Sequence, residues 1–282
     1  LSIGSVYAAL ALAIVLVNQA TGLINFAQGG MAVLSAYLAW WFTGVGIPLI
    51  LAILLSVGVS FLFGAVVERY LMRRFEGGDP DTAVVVTIGL LTLITGVCGW
   101  LFTYNNQQFP SLFPLDTISV LGASVSVRSI GTTVVILAIM ILLQALFAGT
   151  KLGLALRAVA VNPQSAAFSG LPVSRLLMVG WGLAAGLGAV AGALVAPQLT
   201  LTPGMMDNAL VYALAAVILG GLSSPVGVVA AAWIIGVLEN LAAVYVPFIG
   251  YDLKVAVPFV LIFVVLLVRP QGLFGRRTVV RV

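Results

Sequence analysis

The first 67 residues of the chain hold no Asp, Glu, Lys or Arg. Drawn out as one helix, such a stretch is roughly 100 Å long, whereas the hydrocarbon core of a bilayer is about 30 Å thick. It must cross or re-enter a membrane about three times. Further uncharged runs at 82–115, 129–150, 176–206 and 208–238 can each hold a span. Only 7% of the chain is charged, against roughly 25% in a soluble domain. So few charges cannot keep a soluble surface of this size wet. That excludes a soluble enzyme, a nucleic-acid-binding module and a disordered chain, and leaves the lipid bilayer as the surrounding phase. A transmembrane barrel would show short alternating segments instead. The expected fold class is all-α, a polytopic transmembrane bundle of about eight or nine hydrophobic segments, some discontinuous.

The apolar runs predict helices over 3–17, 24–43, 47–67, 82–103, 130–149, 176–196, 209–222, 225–246 and 253–268. Segment 209–222 is short for a span, and Asn18-Gln19-Ala20-Thr21-Gly22 interrupts the first run early. Short or Gly-interrupted helices are the pattern of discontinuous helices in transporters. The connections 104–129 and 150–175 are too short for soluble domains, so each is expected to act as a loop or short helix. The chain opens on Leu1 rather than Met, and a trimmed start is expected.

Basic residues fix the orientation, because they accumulate on the cytoplasmic side. Arg69, Arg73 and Arg74 lie in 68–81; Lys151, Arg157 and Arg175 in 150–175; Arg269, Arg276, Arg277 and Arg281 in the tail. Nine segments put these three regions on one face, leaving only Arg128 and Lys254 on the other. The expected C-terminus is cytoplasmic, with residues 104–128 and Leu1 outside. The exterior run Tyr104-Asn105-Asn106-Gln107-Gln108 reads either as a solvated turn or as part of a docking surface.

No catalytic constellation is present. The chain has no His and one Cys, Cys98, so the common acid–base and nucleophile pairings are missing, and no metal site is expected. Neither Lys151 nor Lys254 sits in a Gly-x-x-x-x-Gly-Lys-Ser/Thr phosphate loop.

Four features carry polar chemistry. In Gly22-Leu23-Ile24-Asn25-Phe26-Ala27-Gln28-Gly29-Gly30, Asn25 and Gln28 share a face if the stretch is helical. Amides in lipid must be paired, so they read either as interhelical glue or as the lining of a path. Gly220-Gly221-Leu222-Ser223-Ser224-Pro225-Val226-Gly227 is either an ordinary turn or the hinge of a broken helix lining the path. Glu239 is the acid well inside a predicted span; it either bonds a neighbouring helix or meets a substrate ammonium or a gate. Residues 151–172 read as helix, Pro-marked turn, short amphipathic helix and Gly stop, with Asn162 capping a helix that has Pro163 at its first position. This suits either docking into a partner's groove or lying on the lipid surface.

At these residues the chain resembles the permeases of bacterial ATP-binding cassette importers for branched-chain amino acids and of the related urea and amide importers. The matching stretches are Gly22–Gly29, Gly153–Leu171, Ala216–Gly227 and Arg269–Gly275. The resemblance implies one transmembrane permease domain over 1–282, with a coupling loop near 150–175, in the bacterial cytoplasmic membrane. It implies a second permease subunit, two ATPase subunits and an extracytoplasmic substrate-binding protein as partners. This chain itself would bind no cofactor, and ATP would be used by the partner subunits. Asn25, Gln28, Gly29, Gly220, Gly221, Ser223, Ser224 and Glu239 are then expected along the substrate path. Arg157, Asn162, Ala166, Ala167 and Gly170 are expected at the ATPase contact. The chain departs from the family where Ala-His-Gly-Glu is usual and Ala27-Gln28-Gly29-Gly30 stands here. It departs again at Val161-Asn162-Pro163-Gln164, where acidic residues are usual. The alternatives are a urea or amide permease of the same type, or a stand-alone channel or secondary carrier.

Overall fold

The computed structural model of the chain describes residues 2–75, 80–120, 123–246, 253, 256–269 and 272–274. Lys254, Arg276, Arg277, Arg281 and part of the closing motif (Pro270, Gln271, Gly275) lie outside the described residues.

All nine expected hydrophobic segments are helical. They are α1 (Ser2–Thr21), α2 (Gln28–Gly44), α3 (Leu49–Tyr70), α4 (Pro80–Phe102), α5 (Val127–Gly149), α8 (Val173–Leu199), α9 (Asp207–Gly220), α10 (Pro225–Tyr245) and α11 (Ala256–Val268). Two short helices, α6 (Lys151–Val161) and α7 (Pro163–Phe168), fill the expected coupling loop. Among the described residues, six stretches, in α1, α3, α4, α5, α8 and α10, are long and apolar enough to cross a membrane.

Two expectations are corrected. α2 starts at Gln28 rather than at residue 24, because Gly22–Ala27 is non-helical. Asn25 and Gln28 therefore do not lie on one helical face. The connection 104–129 is more than a loop or short helix: it carries a hairpin of β1 (Thr117–Val120) and β2 (Ala123–Ser126), with Thr117 opposite Ser126.

α1 and α8 form the centre, with α2, α3, α9 and α10 packed round them. Small residues let α8 approach closely: a Cβ on Gly192 would collide with the carbonyl oxygen of Ala32 on α2. In lipid, where no hydrophobic force drives helices together, such close packing is a main source of association. α3, α4 and α5 leave most of their spans open to the surroundings, as apolar helices at the rim of a bundle do.

Hydrogen bonds between distant segments sort the loops into two ends. At one end the Arg73 guanidinium donates to Ser174 O (3.4 Å), Gln19 Nε2 to Leu222 O (3.4 Å), and Leu273 N to Leu219 O (2.7 Å). At the other end Ser2 Oγ donates to Gln198 Oε1 (3.3 Å) and Arg128 Nη1 to Pro197 O (3.1 Å), while Gln107 pairs with Leu201. Residues 68–75 and the loop 150–175, both carrying basic residues, therefore share one end, as the charge distribution predicts. The first end also gathers residues 221–224 and 272–274.

Candidate functional site

The chain leaves α1 at the exposed Gly22, beside Ala160 of α6 at the basic end, and from there runs into the bundle towards α2. Gly22 closes α1 by donating its N–H to Asn18 O (2.8 Å), and then turns the chain at φ +77°, a conformation that favours glycine. The freed backbone groups must find partners, because no lipid atom can supply them. Asn25 does part of this: its Oδ1 accepts from Ala27 N at 2.9 Å, and its Nδ2 donates to Gln28 Oε1 at 3.3 Å. Gln28 Nε2 in turn donates to Ala184 O of α8 at 2.8 Å. Thr87 of α4 accepts from Phe26 N at 3.4 Å. The structure thus brings Asn25 and Gln28 together through a hydrogen bond. Both are fully buried.

Gly29, the second residue of α2, faces Leu210 of α9 and Met206 just before it; a Cβ there would sit 3.5 Å from each side chain. α9 is only 14 residues long, roughly 21 Å at helical rise and short of a full span. Residues 200–206 lead into it without helix. α2 and α9 are thus both interrupted helices whose N-terminal residues meet inside the bundle, the arrangement associated with transporter binding sites.

The remaining expected path residues lie apart from this centre. Gly220 and Gly221 end α9 at the basic end, and Gly220 packs directly on Gly227 and Val228. Ser224 caps α10, its Oγ accepting from Gly227 N at 3.0 Å, with Pro225 following as the first helical residue. Ser223 is exposed beside a cavity of about 440 Å³ that Asn18, Gln19, Gln144 and Arg157 also line. The break at 220–225 is tied to the end of α1, where Gln19 Nε2 donates to Leu222 O. Glu239, nearly fully buried on α10, accepts a 2.7 Å hydrogen bond from the Tyr7 hydroxyl of α1, and Tyr7 stacks on Tyr212 of α9.

The basic end carries the short-helix pair. Thr150 Oγ1 accepts from Gly153 N to start α6 (3.0 Å), and Asn162 Oδ1 accepts from Ser165 N to start α7 (2.9 Å). Gly170, at φ +81°, ends the unit. Ala166 is buried, whereas Arg157, Ala167 and Gly170 are exposed. Phe168 is 93% exposed and Val161 86% exposed. Sequence reasoning singled out neither, though an aromatic inside an otherwise small, polar turn was the available signal. The pair is held to the bundle by Gly153, which packs against Leu146 and Phe147 of α5.

Asp207 and Asn208 were also missed. Both are exposed at the start of α9, and sequence reasoning used Asp207 only to separate two uncharged runs.

This architecture has counterparts among known proteins. The model of the family described as branched-chain amino acid transport system / permease component matches residues 1–266. The high-affinity branched-chain amino acid permease BraD of Pseudomonas aeruginosa is 28% identical, the match covering 100% of this chain and 95% of that protein. The corresponding permease LivH of Escherichia coli K12 is 25% identical, over 100% and 95% of the two chains. A probable LivH of Methanocaldococcus jannaschii is 29% identical, over 94% and 87%. With the family matched along nearly its whole length, on a helical bundle with interrupted helices, this chain belongs to the permease components of branched-chain amino acid transport systems.

Proposed function

We propose that the chain is one permease half of an ATP-driven importer, moving branched-chain or other small amino acids across the bacterial cytoplasmic membrane. The observation that carries this reading is the family match over residues 1–266. The interrupted helices α2 and α9 support it. Since the chain carries no phosphate-loop motif, ATP would be hydrolysed by two partner ATPases. A second permease would complete the route, and an extracytoplasmic binding protein would deliver the cargo.

In this reading the basic end is cytoplasmic and the C-terminus lies on that side. Arg157, Asn162, Ala166, Ala167 and Gly170 belong to the surface that meets an ATPase, with Phe168 as an exposed anchor. Aromatic side chains that fill a partner's pocket commonly dominate such contacts. The path residues Asn25, Gln28, Gly29, Gly220, Gly221, Ser223, Ser224 and Glu239 then divide by depth. Asn25, Gln28 and Gly29 sit at the helix interruption, Glu239 at the α1–α10 contact, and Gly220 to Ser224 at the cytoplasmic mouth. ATP-driven closure of the ATPase pair would move α6 and α7. Gly153, locked against α5, would pass that motion into the bundle, opening the route alternately to each side.

The test is reconstitution of the four-part assembly in liposomes with a panel of amino acids, urea and amides. Saturable uptake of branched-chain amino acids that needs both ATP and binding protein supports the reading. Uptake of urea or amides alone would reassign the cargo.

A further inference from the structure

We propose that Asp207 is a binding site for the cargo's ammonium group, set at the head of an accessible stripe of α9 that lines the route. This rests on the amino-acid reading above.

Depth is the first observation. Trp40 and Trp41 stand near the C-terminal end of α2, where aromatic residues mark a membrane interface. Gly29 lies 12 residues before Trp41 on the same helix, or about 18 Å below it. Met206 packs against Gly29, so the adjacent Asp207 also lies well below that interface.

Exposure is the second. Among the described acids, Glu68 is buried against Arg73 and Glu239 is buried with Tyr7. Asp207 is exposed at this depth, and its side chain has no hydrogen bond or ion pair among the described residues. A charged group at membrane depth costs roughly 2.5–3.5 kcal/mol even on the mildest scale, so it faces water or protein rather than lipid.

The third is the pattern below it. Along α9 the positions with access are Asp207, Asn208, Val211, Leu214 and Ile218; the others are buried. Positions 207, 211, 214 and 218 form one helical stripe. A carboxylate above a row of branched aliphatic side chains matches a small zwitterion whose cationic head is followed by an aliphatic side chain. The fully buried Asn25 and Gln28 offer no such access in this conformation.

The test uses the complete transporter in a Cys98→Ser background. Asp207→Asn removes the charge at nearly constant size, and Asp207→Glu keeps it. Asp207→Asn should lower the maximal uptake of leucine by at least about tenfold, with Asp207→Glu retaining most of it. Melting temperature, subunit co-purification and unstimulated ATP hydrolysis should stay unchanged. Val211→Cys, one turn below, should react faster with a cationic than with an anionic methanethiosulfonate. That preference should collapse when Asp207→Asn is added. Wild-type uptake by Asp207→Asn, an unreactive Val211→Cys in every nucleotide state, or an unaltered reagent preference would each overturn the proposal. Loss of co-purification would overturn it too, by making Asp207 an ion-pair partner of the companion subunit. If the wild-type assembly moves no amino acid while the reagent preference behaves as expected, the amino-acid reading falls and the cation site stands.

Discussion

The hydroxyl of Tyr7 donates a 2.7 Å hydrogen bond to Oε2 of Glu239, joining the N-terminal half of α1 to α10. The carboxyl is almost inaccessible, and the Tyr7 ring is stacked on Tyr212 with centroids 4.4 Å apart. Three helices therefore meet at one acid.

Tyr7→Phe keeps the stack and removes the donor. A hydrogen bond contributes about 0.5–1.5 kcal/mol net, and a buried group left short of a partner costs about 1–3 kcal/mol. Tyr7→Phe should lower the thermal stability of the detergent-solubilised protein. Glu239→Gln, which needs less from its partner, should tolerate Tyr7→Phe better than the native acid does. A double-mutant cycle measured by thermal unfolding checks this; strict additivity would show that the bond contributes nothing.

Gln28 joins the helix interruption to α8 through Ala184 O, and its amide would lie 2.6 Å from a Cβ on Gly188. Interhelical polar bonds in a membrane average about 0.6 kcal/mol, so Gln28→Leu should cost little stability. If the interruption is the moving part of the route, uptake should nevertheless fall strongly. Gly188→Ala should mimic it by pushing the amide off its acceptor, and the two changes should not add. Uptake at the wild-type rate in both variants, with stability reduced, would make these amides structural.

Glu68 is fully buried and pairs with Arg73 at 3.0 Å, and Arg73 also reaches Ser174 O at the start of α8. Arg73→Met strands the carboxylate. Since Arg73 is partly exposed, the cost should be about 1–3 kcal/mol rather than the larger figure for a fully buried pair. Arg73→Lys should recover part of it. Unfolding midpoints of the three proteins decide the point.

Ala167 and Phe168 stand out from the basic end on α7. If α7 meets an ATPase as proposed, Ala167→Asp should put an unpaired charge into that contact, and Phe168→Ala should remove its anchor. Both variants should insert normally and lose most of the cargo-stimulated ATP hydrolysis. Unchanged stimulation in the assembled complex would place the loop on the lipid surface.

Much of this architecture was legible because charge and punctuation are sparse and sharp in such a chain. The apolar runs located the nine apolar helices, and Asn162-Pro163 with Gly170 located α7. The late start of α2 was not legible. Leu23, Ile24 and Phe26 continue the apolar run, and what unwinds them is tertiary: Asn25 and Thr87 supply the bonds that a helix would otherwise make. The β1–β2 hairpin was legible in principle, since Thr117-Ile118-Ser119-Val120 alternates with period two. Asn25 and Gln28 could be paired from the sequence, but their complete burial could not, because it depends on α4 and α8. The exposure of Asp207 is likewise set by the helices round α9.

The central claim is that this chain is half of a route driven by ATPases it does not contain. The most direct measurement compares amino-acid uptake into liposomes holding the purified chain alone with uptake by the complete assembly. The account predicts saturable uptake only when the companion permease, ATPases, binding protein and ATP are all present. Saturable uptake by the chain alone would contradict it and make the protein a self-sufficient carrier.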